Sequence, residues 1–119
     1  MLRRLPPLPC MAWALVCSAT FGVSAAEPAP ERQAALVRMV RQDCGSCHGM
    51  RLTGGLGPAL TRESLAGKPP ESLVATIVHG RPGTAMPGWR ALLLDETEAA
   101  WIADQLLTGF PEEARRHSP

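Results

Sequence analysis

Cys44-Gly45-Ser46-Cys47-His48 spells C-x-x-C-H, and this stretch decides how the rest of the chain is read. Two thiols three positions apart can each add to one vinyl group of a single haem, giving two thioether bonds. The adjacent histidine then reaches the iron from the same side. Three other uses of C-x-x-C compete with this one. A structural zinc site takes four ligands, typically from two such pairs. A thioredoxin-like redox pair sits near a βαβ pattern. A local disulfide is chemically possible, but it leaves His48 without a role.

The N-terminus bears on that choice. Arg3 and Arg4 precede an apolar run from Met11 to Val23, and Ser24-Ala25-Ala26 places small residues where an export signal is cleaved. The run falls short of the roughly 18 apolar residues of a spanning helix, so the reading is a signal over 1–26 and a domain over 27–119. Retention as a membrane anchor is the competing reading. Removing residues 1–26 takes Cys10 and Cys17 with it and leaves 93 residues whose only cysteines are Cys44 and Cys47. Beyond His48, only His79 and His117 remain as histidines, too few donors for a zinc pair-of-pairs. Export also suits haem attachment, which in bacteria takes place outside the cytoplasm. The 12 basic residues become 10 against 11 acidic ones, a balance near −1 with histidines neutral. There is no basic run of the kind that binds nucleic acid. A domain this small, with one Phe and two Trp, has a thin core, and a porphyrin would fill much of it.

The periodicity is helical throughout, with no alternating strand pattern, and it predicts three main helices joined by two long loops. Residues 31–43 carry Leu36, Val37, Met39 and Val40 on one side, with Arg32, Arg38, Arg41 and Gln42 flanking, and lead into Cys44. Residues 49–70 are rich in Gly and Pro and suit a loop along a cofactor edge, with a helical turn over Thr61–Ala66. The second helix starts at Pro69-Pro70-Glu71, buries Leu73, Val74, Ile77 and Val78, and stops at Gly80. RPGTAMPGWR, residues 81–90, is the second loop. The last helix starts near Asp95, with Glu98 three residues on, buries Ala99, Ile102, Ala103 and Leu106, and stops at Gly109. Residues 111–119 are polar and read as a frayed tail.

His48 needs an acceptor for Nδ1–H if Nε2 is to bind iron, and the candidate is the backbone carbonyl of Pro58; the alternative makes Pro58 a turn residue only. Met86, 38 residues after His48, is the candidate for the iron's other face, with His79 as its rival and core filling as its ordinary use. Arg81 and Trp89 flank that loop and are candidates to donate to a haem propionate; a solvated charge and simple packing are their alternatives. Leu52, Leu56, Leu60, Leu65 and Ile77 are candidate wall residues.

Cys44-x-x-Cys47-His48, then Gly57-Pro58, then Met86-Pro87, resembles a class I monohaem cytochrome c over residues 31–108. The resemblance implies an all-α fold around one covalently bound haem c, with the first and last helices crossing beside it. It assigns Cys44 and Cys47 to the thioethers and His48 and Met86 to the iron. A narrower stretch, CGSCHGMRLTGGLGPAL and then PPESLVATIVHGRPGTAMPGW, is similar to the NirC-type cytochromes of denitrification clusters. That resemblance implies an exported, periplasmic, monomeric electron carrier cycling Fe(II)/Fe(III). It implies a redox partner such as cytochrome cd1 nitrite reductase, or alternatively a part in maturing haem d1. With both axial positions filled by protein, the implied protein is not an enzyme. A ligand-binding or peroxidase-like haem protein would require Met86 to leave the iron open.

Overall fold

A computed structural model describes residues 27–92 and 94–112; the expected signal over 1–26 and the end of the tail, 113–119, lie outside the described residues. The described chain is helical, with no strand among the described residues. Helix α1, Pro30–Met39, opens on a proline whose missing N–H costs nothing in the first turn, with Glu31 beside it. The helix does not stop at Met39. It widens into a π-helical turn over Val40–Cys44, where the N–H of Gly45 reaches back to the Val40 carbonyl, and continues as α2, Gly45–His48. Leu36, Val37 and Val40 are buried, as the apolar stripe predicts. Arg41, expected on the polar flank, is buried beside them at 7 % exposure.

That burial has a partner at the far end of the chain. The Arg41 guanidinium donates to the carbonyls of Phe110 (3.2 Å) and Pro111 (2.8 Å) and lies 5.4 Å above the Phe110 ring. Phe110 and Pro111, the latter the first residue of the tail expected to fray, are thereby tied to the turn that carries Cys44.

Short helix α3, Arg62–Leu65, is capped by Thr61, whose hydroxyl accepts the Ser64 N–H. Helix α4, Pro70–His79, again starts on proline and ends at Gly80, in the left-handed region at φ +71°. A 3₁₀ turn, Trp89–Leu92, leads to α5, Glu96–Thr108, whose cap is the Asp95 carboxylate accepting the Glu98 N–H at 2.8 Å. Ala99, Ile102, Ala103 and Leu106 face the core from α5, and Trp101 is also buried. Ala99, Trp101, Ile102 and Leu106 form one apolar cluster with Leu36 and Val37 from α1, Val40 from the π-helical turn, Leu65 from α3, Val78 from α4, and Leu52 and Leu94 from the connections. Outside it, Arg32 of α1 forks onto the Glu98 carboxylate of α5, which marks where the first and last helices meet.

Candidate haem site

The carbonyls at the end of α2 organise the surroundings of His48. The last carbonyls of any helix lack partners within it. Here the Gly57 N–H donates to the Cys47 carbonyl and the Gly54 N–H to the His48 carbonyl, both at 2.8 Å. These bonds draw the loop after Gly49 back across the helix end. Leu52 adopts the left-handed region at φ +60°, a cost of about 1 kcal/mol for a residue with a side chain, and is 2 % exposed. Burying that side chain, worth about 2 kcal/mol, offsets the strain.

The folded-back loop sets Gly57-Pro58 against the imidazole. His48 is buried, and its Nδ1 lies 2.6 Å from the Pro58 carbonyl oxygen. A carbonyl only accepts, so Nδ1 carries the hydrogen and the lone pair sits on Nε2. Gly57 lies against the ring so closely that a Cβ there would stand 2.8 Å from both Cε1 and Nδ1.

Cys44 is half-buried, Cys47 is exposed, and neither thiol is in a disulfide. Burial, with a smaller push from the Asp43 charge, raises the Cys44 thiol to about 11. A half-buried sulfur whose neutral form is favoured is compatible with a thioether, which carries neither charge nor proton. Among the described residues no three His, Cys, Asp or Glu side chains converge as a metal-binding group, so the zinc alternative finds no donor set there.

The other predicted residues divide. Met86 is partly buried on the loop after α4. His79, its rival, is exposed at the end of α4. Trp89 is partly buried against the core, whereas Arg81 is exposed and its backbone N–H donates to the Met86 carbonyl. Leu60 and Ile77 are partly buried against the cluster and Leu65 is within it, but Leu56, grouped with them from sequence, is 94 % exposed. The inward positions of its loop are taken by Gly55 and Gly57, which leaves Leu56 pointing out.

These residues match the donor set of a covalently attached haem: two free thiols, a histidine with its tautomer set, and a methionine on a separate loop. Comparison with known proteins agrees. Residues 31–105 match the family described as cytochrome C oxidase, cbb3-type, subunit III, a span from α1 into α5 that includes both cysteines and Met86. The chain is 68 % identical over 88 residues to cytochrome c55X of Stutzerimonas stutzeri, covering 74 % of this chain and 77 % of that protein.

The chain belongs to the cytochrome c55X family.

Cytochrome c55X of Pseudomonas aeruginosa is 59 % identical over 88 residues, covering 74 % of this chain and 73 % of that protein. The solved structure of the c-type cytochrome NirC superposes with a TM-score of 0.67 at 59 % identity, covering 70 % of this chain and 96 % of that one. A more distant match is dihydro-heme d1 dehydrogenase of Pseudomonas aeruginosa, 42 % identical over 65 residues, which are 55 % of this chain and 13 % of that protein. The family is one of c-type cytochromes, so the chain carries haem c and its fold is the small all-α cytochrome c type.

Proposed function

We propose that this c55X-type cytochrome is an exported single-electron carrier serving nitrite reduction, with Cys44 and Cys47 holding the haem and His48 and Met86 on the iron. When bound, the haem supplies one-electron exchange between Fe(II) and Fe(III). The chain's own residues do the rest. Pro58 orients His48 and strengthens it as a donor through the Nδ1 bond. Met86, soft and neutral, favours the ferrous state and raises the potential. Trp89 and Arg81 stand in the same loop region as candidate propionate partners. The His48–Pro58 contact carries the reading: a buried imidazole with Nδ1 committed to a carbonyl is built to present Nε2.

Export through residues 1–26 brings the chain to the compartment where the haem is attached. In this reading the domain over 27–119 acts in the periplasm as a monomer; no helix among the described residues is long and apolar enough to cross a membrane. Exposed Cys47 and Leu56 lie on neighbouring segments bonded through Gly57, and mark the face for brief apolar docking with a redox partner such as cytochrome cd1 nitrite reductase.

A second reading draws on dihydro-heme d1 dehydrogenase, part of which is similar to this chain in sequence and in structure (TM-score 0.55, 38 % identity over 66 % of this chain and 16 % of that one). In that reading the electrons pass during haem d1 assembly. Deleting the gene separates the two. The carrier role predicts nitrite reductase with its full haem d1 but slow reduction by the cell's own donors. Reductase lacking haem d1 would overturn the carrier role in favour of assembly.

A further inference from the structure

Met86 sits in a loop that holds its own backbone. The Arg81 N–H donates to the Met86 carbonyl at 3.1 Å. Arg81-Pro82-Gly83-Thr84 forms a tight turn, with Gly83 at φ +79° and the Thr84 N–H donating to the Arg81 carbonyl at 3.1 Å. The Thr84 hydroxyl then does two things: it donates to that same carbonyl at 2.7 Å and accepts the Met86 N–H at 3.2 Å. Both backbone polar groups of Met86 are thus bonded within six residues, and Pro87 restricts its torsions further.

The ends of this loop meet at a distance only glycine allows. A Cβ on Gly88 would stand 2.8 Å from the His79 carbonyl carbon and 2.9 Å from the Val78 carbonyl oxygen. These are backbone atoms and cannot swing aside. Gly88 is not in the left-handed region, so its missing side chain serves the close approach and not an unusual torsion.

We propose that Thr84 and Gly88, neither assigned to the haem, are positioning residues for Met86: they fix the backbone from which the thioether reaches the iron and so set how rarely it lets go. This rests on Met86 being the axial ligand. A hydrogen bond of ordinary net strength shifts an equilibrium about fivefold. T84V removes the bond to the Met86 N–H, while the Arg81 carbonyl keeps its bond from the Thr84 N–H, so the methionine-released population should grow by about that factor, and an outside ligand binds in proportion to that population.

The test titrates imidazole into ferric holoprotein and follows the thioether-to-iron absorption band. T84V should lose the band at about fivefold lower imidazole than wild type, T84S at the wild-type concentration, and G88A at a concentration lower still than T84V. Measured in enough imidazole to displace Met86 from both proteins, the urea midpoint of T84V followed by far-UV dichroism should equal that of wild type. Wild-type imidazole titrations in both T84V and G88A, with the band absent from M86A, would overturn the positioning role while leaving Met86 as ligand. A T84V midpoint below wild type in that imidazole-displaced state would also overturn it, by showing a destabilisation that does not depend on Met86. A band that survives in M86A would overturn the ligand assignment itself.

Discussion

Replacing Gly57 with alanine tests whether the His48 ring is held by shape as well as by a hydrogen bond. The new Cβ would stand 2.8 Å from Cε1 and Nδ1 of His48, where carbon contacts settle at about 3.5 Å or more. The ring must retreat by about 0.7 Å, which stretches the 2.6 Å bond to Pro58 to the edge of useful geometry. Losing that bond costs about 1 kcal/mol, and overpacking a site without slack costs about 1–3 kcal/mol. Alanine returns up to about 1 kcal/mol by stiffening the unfolded chain. The net expectation is a loss of about 1–3 kcal/mol in urea unfolding of the ferric holoprotein. A weaker Nδ1–H bond also makes the imidazole a poorer donor to Fe(III), so the reduction potential should rise. Unchanged unfolding together with an unchanged potential would refute the argument, because no repositioning of the ring could then have occurred.

Substitutions at three further positions probe the frame. Arg41→Met removes a buried fork from the Phe110 and Pro111 carbonyls and should cost about 2–4 kcal/mol, with faster proteolysis around residues 109–112; Arg41→Lys should not restore it, since an ammonium cannot reproduce the fork. Asp95→Ala should cost about 1 kcal/mol in thermal unfolding through loss of the α5 cap, and Asp95→Asn should recover most of it. Glu98→Gln should cost only about 0.5–1 kcal/mol, because Arg32 is 46 % exposed, and the difference from wild type should shrink as salt is added.

Much of the frame was legible because its signals are local. Proline at the start of α4, glycine after it, and an Asp95–Glu98 cap act within one helical turn, and the helices begin and end on those residues. Pro58 was legible for a different reason: an iron-bound histidine needs a nearby acceptor, and only a short reach of chain could supply one. What escaped depends on distant or steric partners. Nothing near Arg41 announces burial, since its acceptors lie 69 and 70 residues away. The π-helical turn has no composition of its own. Hydrophobicity alone did not show that Leu56, unlike Leu52 and Leu65, stays out of the apolar cluster. The roles of Gly57 and Gly88 are distances of approach, invisible until the backbone is folded. The Arg81–Thr84 turn, by contrast, had a readable signature in its Pro-Gly centre.

The central claim is that Cys44 and Cys47 hold one haem covalently in this chain. The most direct measurement is the intact mass, under denaturing conditions, of protein matured through its native export pathway. The account predicts the mass of residues 27–119 plus one haem, unchanged by acidic organic extraction, and no retained haem in a variant with both cysteines replaced by alanine. A bare polypeptide mass, or haem that extracts freely from the wild-type protein, would contradict it.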